Sequence, residues 1–186
     1  MKKSLLIVLS GPSGVGKGTI NEMLSKKLPK MIQSVSVTTR RPRKGEKDGV
    51  HYFFRTEEEF KQLKESGMLL EYAETFSHFY GTPRSFVEEN LKSGRDVMLE
   101  IDVKGAIQVK KSYPECVSIF IVPPDMNELE RRLRLRGTED EKELKERLRV
   151  AEEEILQSSF FDFVVVNDDL SRAVNEIISV INTKRK

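Results

Sequence analysis

The segment GPSGVGKGT, residues 11–19, constrains this chain more than any other. It follows LLIVL (5–9), an apolar run of the length of a buried strand, and opens a stretch of helical spacing from about Lys17 to Leu28. Gly11, Gly16 and Lys17 satisfy the spacing GxxxxGK. Glycines at that spacing let backbone N–H groups converge on phosphate oxygens. The helix N-terminus adds its positive pole, and the lysine ammonium reaches the outer phosphates. A glycine-rich turn without a ligand has the same composition. A strand before it and a helix after it are the setting in which such a loop, here Gly11, Pro12, Ser13, Gly14, Val15, Gly16, Lys17, Gly18 and Thr19, cradles a nucleoside triphosphate. Gly18 stands where Ser or Thr usually helps to hold magnesium, which shifts that hydroxyl to Thr19 or removes it.

The rest of the chain keeps the rhythm that this loop starts. DVMLEI (96–101) leads into a helix near Val103 to Lys111, VSIFIV (117–122) into Asp125 to Leu135, and FVVV (163–166) into Leu170 to Ile181. Short apolar runs alternating with amphipathic stretches predict an α/β fold whose mainly parallel sheet is covered by helices on both faces. Two regions break the rhythm. Residues 32–86 are rich in Thr, Arg, Tyr and Phe with glycine turn points, and predict an inserted subdomain of short strands with a helix near Glu57 to Glu65. Residues 131–149, centred on RGTEDEKE, predict a charged flap between two helices, the second running from about Glu141 toward Gln157. The expected organisation is one domain: a core of about 1–31, 87–130 and 150–186, the insertion, and a lid.

A length of 186 residues suits one such domain. Thirty-two Lys plus Arg against 30 Asp plus Glu leave a net charge of +2, which argues against a coat for nucleic acid or an anionic membrane and makes any basic site local. Lys2 and Lys3 before SLLIVL imitate a signal peptide, but the apolar run is too short and lacks a cleavage site. No run approaches the length of a membrane span. The lone Cys116 cannot form an intramolecular disulfide and has no metal-ligand spacing around it. A cytoplasmic location is expected.

Arg40, Arg41, Arg43, Lys44 and Lys47 crowd the segment from Ser34 to Tyr52. A solvated basic face would look the same. Pro42 and Gly45 interrupt a helical patch, however, and a second phosphate-bearing substrate needs forked donors, for which arginine is better suited than lysine. With GPSGVGKG, the blocks SVTTRRPRKGEKDGVHYFF, LEYAETFSHFYGTP, MLEIDVKG, RLRLRGTED and VVVNDDL appear in the order and spacing of the guanylate kinases. Over nearly its whole length the chain resembles that family, most particularly in TTRxPRxGExxGxxY (Thr38 to Tyr52) and in the YGT element after Glu71.

The resemblance implies an enzyme that transfers the γ-phosphoryl of ATP to GMP, giving ADP and GDP, with Mg2+ as cofactor and two small nucleotides as partners. It implies that Arg40, Arg43, Tyr52 and Tyr80 hold the GMP phosphate with Glu46 as support, and that Ser36, Glu71 and Thr82 face guanine, with Gly81 between the pocket residues. Asp102 is expected at a strand end, where with Thr19 it could organise magnesium and its water, and Asn167 near adenine. A carboxylate accepts from guanine's ring N–H and amine; adenine offers neither pattern, so a buried Glu71 would reject it by several kcal/mol. Glu100 stands where the family more often has Asp and receives no role.

Arg132, Arg136 and Arg147 match the family's lid arginines. The first two, four apart, share a helix face, and the third returns from the next helix. Exposed pairing with Glu128, Glu143 and Glu146 is the plainer alternative for such charges. Neither His51 nor His78 is required, because a phosphate already largely ionised at neutral pH needs no base. Two other readings remain open to test: an adenylate kinase, suggested by GKGT, and a catalytically silent binding module for phosphorylated peptides.

Overall fold

Leu6–Ser10 forms β1, and all five of its residues are buried. The computed structural model describes residues 4–137 and 140–185. In chain order β1 is followed by α1 (Lys17–Lys27), β2 (Met31–Gln33), β3 (Val37–Thr38), β4 (Phe53–Phe54), α2 (Glu57–Glu65), β5 (Leu69–Thr75) and β6 (His78–Pro83). Then come α3 (Arg84–Lys92), β7 (Asp96–Glu100), α4 (Val103–Ser112), β8 (Val117–Val122), α5 (Met126–Arg136), α6 (Glu141–Leu156), β9 (Phe163–Val166) and α7 (Leu170–Lys184).

The main sheet has the order β2-β7-β1-β8-β9, and every pairing in it is parallel. Alternation along β1 explains why its sequence is continuously apolar. Leu5, Ile7 and Leu9 face a core shared with Ile20 and Leu24 of α1, Leu129 and Leu133 of α5, and Val174 and Ile177 of α7. Leu6 and Val8 face the opposite core, with Val87 of α3 and Ala106 and Val109 of α4. A strand sandwiched on both faces can keep no polar side, and the α/β expectation is met for this reason.

The second sheet, order β4-β3-β6-β5, is mixed: β3 runs parallel to β4, while β6 is antiparallel to both β3 and β5. Its own small core gathers Val37, Phe60 and Leu69. Helix α2 forms where the sequence placed it, started by a capping box in which Thr56 and Glu59 exchange hydrogen bonds.

The structure corrects two readings of the elements. Met31–Gln33 belongs to the parallel sheet, paired with β7, although the change of composition begins at Ile32. Three residues at a sheet edge carry too little periodicity to be read as a strand. Helix α3 was not foreseen, because only Val87 of its nine residues is buried.

Ile7 is fully buried at the centre of the sheet. Ile7→Ala should lower unfolding free energy by about 2–5 kcal/mol, since a cavity is added to the lost transfer energy. Urea denaturation measures it, and a loss under about 1 kcal/mol would mean that the sheet closes over the gap.

Candidate active site

The loop from Gly11 to Gly16 leaves the end of β1 and enters α1 through Gly16, whose φ of 99° is in the left-handed region. A Cβ on Gly16 would lie 2.6 Å from Asn167 Nδ2, so glycine is required there by backbone and by space alike. Asn167 is buried, and its amide donates to the Val15 carbonyl at 2.8 Å. Arg132 braces the same loop, donating from Nη1 to Val15 O at 3.2 Å and from Nη2 to Asn167 O at 2.9 Å. Lys17 Nζ donates to the carbonyls of Gly11 and Pro12. Thus Asn167, expected near adenine, has its amide on the back of the loop.

A cavity of about 750 Å³ opens in front of this loop and extends to the second sheet. From the loop side it is lined by Gly11, Ser13, Gly14, Gly16, Lys17, Gly18 and Thr19; Pro12 and Val15 do not reach it. Ser36, Arg40, Arg43, Tyr52 and Tyr80 form the far wall. There Arg40 makes a forked pair with Glu46, at 3.0 Å from Nη1 and 2.9 Å from Nη2, and its guanidinium lies 5.3 Å from the Tyr52 ring centre. Glu46 also accepts from the Arg43 backbone N–H at 2.7 Å. It stands behind the wall and fixes the turn that carries both arginines. Tyr52 and Tyr80 meet edge to face at 6.0 Å. Burial, followed by the Glu100 charge, pushes the Tyr52 hydroxyl above its ordinary pKa.

Glu71 enters the cavity from β5 with only 3% of its surface exposed. Its Oε1 accepts from Thr82 Oγ1 at 2.6 Å, across the paired strands β5 and β6. Burial pushes the Glu71 carboxyl up to about 7; the Thr82 hydrogen bond works against that rise, and the Asp102 charge adds to it. Thr82 therefore acts on the cavity through Glu71. Gly81 is buried in the sheet, opposite Val37 and Tyr72, and contributes no lining. Asp102 lines the cavity, caps α4 by accepting from Gly105 N at 2.8 Å, and accepts from Thr75 Oγ1.

Helix α6 presents one face to the cavity through Glu143, Arg147, Val150 and Glu154, spaced as successive turns require. Arg147 donates to Ser13 Oγ at 3.0 Å and lies 4.6 Å over the Phe76 ring. Arg132 lines the cavity as well, while Arg131 pairs outward with Glu128. The Arg136 side chain and residues 138 and 139 lie outside what the structure describes.

Several cavity residues were given no role by the sequence reading, Glu154 and Glu100 among them. Burial pushes the Glu154 carboxyl up to about 7, opposed by Lys17 and assisted by Asp102. Glu100 accepts from Asn21 at 3.0 Å and stands beside Gly18. Glu154 lies in a run of acidic residues with no motif of its own, and Glu100, within the block MLEIDVKG, differs from the family's usual Asp, so the fold is what places both at the loop. Among the described residues, no group of three or more His, Cys, Asp or Glu could by itself hold a metal ion, and no helix is long and apolar enough to cross a membrane.

A glycine-rich loop between a buried parallel strand and a helix, facing an arginine-lined cavity, defines a P-loop-type α/β fold. A shikimate kinase from Bacteroides thetaiotaomicron shares that fold at a TM-score of 0.54 and 16% identity, over 96% of this chain and 98% of its own. The particular family is settled by closer likeness. The family model described as guanylate kinase matches residues 3–184. A guanylate kinase of Caldanaerobacter subterraneus subsp. tengcongensis is 52% identical across 97% of this chain and 87% of its own. The crystal structure of a guanylate kinase from Anaplasma phagocytophilum superposes at a TM-score of 0.84 with 38% identity, over 99% of this chain and 87% of that one. The chain belongs to the guanylate kinase family.

The raised Glu71 carboxyl has a consequence for stability. Between its ordinary value of 4.5 and about 7 the unfolded chain ionises there while the fold holds the proton. The fold's advantage is complete below the lower value and is lost as pH rises through the upper one. Glu71→Gln, which cannot ionise, should therefore lose less stability than the parent between about pH 4.5 and 7. Urea unfolding across that interval measures it; parallel slopes for the two proteins would contradict the buried-carboxyl account.

Proposed function

We propose that the chain transfers the γ-phosphoryl group of ATP to GMP, giving ADP and GDP, in the cytoplasm. The observation that carries this reading is the buried Glu71 carboxyl, paired with Thr82, in the same cavity as the phosphate loop and the arginine wall. A phosphate loop alone selects a triphosphate. A carboxylate that accepts from guanine's ring N–H and amine selects the acceptor, with Ser36 at hand for another polar edge of the base.

In this reading Arg40, Arg43, Tyr52 and Tyr80 hold the GMP phosphate, with Glu46 fixing the arginine turn. Lys17 and the backbone N–H groups of residues 11–19 hold the β- and γ-phosphates. A phosphate oxygen of GMP attacks the γ-phosphorus as the bond to the β–γ bridging oxygen breaks, and the electron pair leaves with ADP. No base is needed, because a phosphate monoester with a second pKa of about 6 is already largely dianionic. Residues 32–86 serve as the GMP-binding part. Residues 131–149 serve as a lid whose Arg132, Arg136 and Arg147 cover the triphosphate and exclude water.

Mg2+ suits the oxygen donors beside Gly18. Thr19 is exposed at the cavity mouth, and Glu100 and Asp102 stand at the end of β7. With no hydroxyl at position 18, Thr19, Glu100 and Asp102 would hold the ion through its water. Bound there, Mg2+ would supply neutralisation of phosphate charge.

ADP production with GMP, AMP and dUMP as acceptors tests the reaction; a protein without preference for GMP does not fit it. Calorimetry with ATP separates it from the silent binding module, which would show no binding. Lys17→Ala should lower kcat by about 100- to 1,000-fold, the usual effect of removing one group that stabilises developing charge, or about 2.7–4 kcal/mol. Near-normal turnover would remove Lys17 from the mechanism.

Guanine binding requires the ionised Glu71 carboxyl, whose pKa burial raises to about 7 in the free protein. The KM for GMP should rise as pH falls through about 7, beyond the change expected from the phosphate alone. Glu71→Gln, weak at every pH, isolates the phosphate's share. If parent and variant follow the same pH profile, Glu71 is not the titrating group.

A further inference from the structure

Gly105 is the third residue of α4, buried, with a backbone that any residue could adopt. Glycine is a poor helix former, so local preference does not account for it. Space does. A Cβ on Gly105 would overlap Glu71 Oε2, lie 3.0 Å from Glu71 Cδ and 3.3 Å from Asp102 Oδ1. On its other side the same carboxyl receives the Thr82 hydrogen bond at 2.6 Å. The Glu71 carboxyl is therefore clamped between a hydroxyl on β6 and the bare Cα of α4.

We propose that Gly105 is a positioning residue for guanine discrimination, seating the Glu71 carboxyl against α4 at the depth from which both of its oxygens can be matched to the base. The inference rests on the guanine-reading role of Glu71 given above. Helix α4 cannot yield to an added side chain: Asp102 caps it at 2.8 Å, and Val103, Ala106 and Val109 are buried. Glu71 can yield, because its carboxyl is the far end of a side chain with rotatable bonds. A methyl group at position 105 thus moves the carboxyl off Thr82 and leaves the fold in place. The phosphate loop does not touch Gly105, so the ATP side is unaffected.

The test is a cycle of Gly105→Ala and Glu71→Asp assayed with GMP and with IMP, which lacks the exocyclic amine. Gly105→Ala should reduce kcat/KM for GMP by about 100-fold, the scale of a misplacement near 1 Å, and shrink the preference for GMP over IMP while the KM for ATP holds. In the Glu71→Asp background, the same alanine should have little further effect, because a carboxyl one methylene shorter no longer reaches it. An equal loss in both backgrounds overturns the inference, as does an unchanged GMP-over-IMP ratio in Gly105→Ala. Glu71→Gln separates the two levels. If that variant keeps the parent's ratio, the guanine-reading role itself fails; if the ratio depends on Glu71 but not on Gly105, only the positioning role fails. Should Gly105→Ala melt below the assay temperature, the cycle is read in melting temperature. A drop abolished by Glu71→Asp supports the seating, and a drop of equal size in both backgrounds rejects it.

Discussion

One carbonyl oxygen ties the phosphate loop to the rest of the molecule. Val15 O accepts from Asn167, at the end of β9, and from Arg132 on α5. Arg132 in turn donates to the Asn167 carbonyl. A loop of glycines has a large conformational entropy to lose, and without such ties its N–H groups would not converge on one point. Asn167 ties it from outside the cavity, while Arg132 ties it from the cavity's own lining. The same contacts connect the loop to an outer strand of the sheet and to the helix that leads into the flap, so the loop's shape depends on the register of the whole parallel sheet.

The cavity balances opposite charges. Lys17, Arg40, Arg43, Arg132 and Arg147 face it, and so do Glu71, Asp102, Glu100, Glu143 and Glu154. A net charge of +2 conceals this arrangement. Acidic groups so close together repel one another, and would repel a phosphate, if all were ionised. Burial lessens that repulsion at Glu71 and Glu154, each pushed up to about 7, so near neutral pH both hold their protons part of the time.

The parallel sheet was legible because burial on both faces writes itself as uninterrupted apolar runs, as in β1 and β8. The loop was legible because glycine and lysine at fixed spacing have few other uses. Strand β2 was hidden by its three-residue length, and α3 by a surface position that leaves only Val87 buried. At the site, Arg40, Glu71 and Tyr80 were found through blocks of resemblance, and the structure brings them to one cavity. Glu154 could not be found that way, because it is one of three consecutive glutamates and only the phase of α6 distinguishes it. Asn167 was noticed for its place after FVVV, but that place could not reveal that its amide points at Val15. Gly105 closes the block MLEIDVKG, but nothing in that block tells that it packs against Glu71.

The hairpin between β5 and β6 shows how the two sheets communicate. Its tip is Phe76 and Ser77, both in the left-handed region, at φ 49° and 60°. A two-residue turn of this kind is usually built from Asn and Gly, because side chains with a Cβ are strained there. Phenylalanine at this tip is unfavourable for the backbone, and its side chain makes a contact of its own. The Phe76 ring lies under the Arg147 guanidinium, which also holds Ser13 of the phosphate loop. One arginine on α6 therefore touches the tip of the second sheet and the loop of the first, and Asn-Gly at the tip would relieve the backbone while removing the ring. Strain at the turn and contact across the cavity occur together: at the strained tip, the second sheet, helix α6 and the loop of residues 11–19 meet at the single side chain of Arg147.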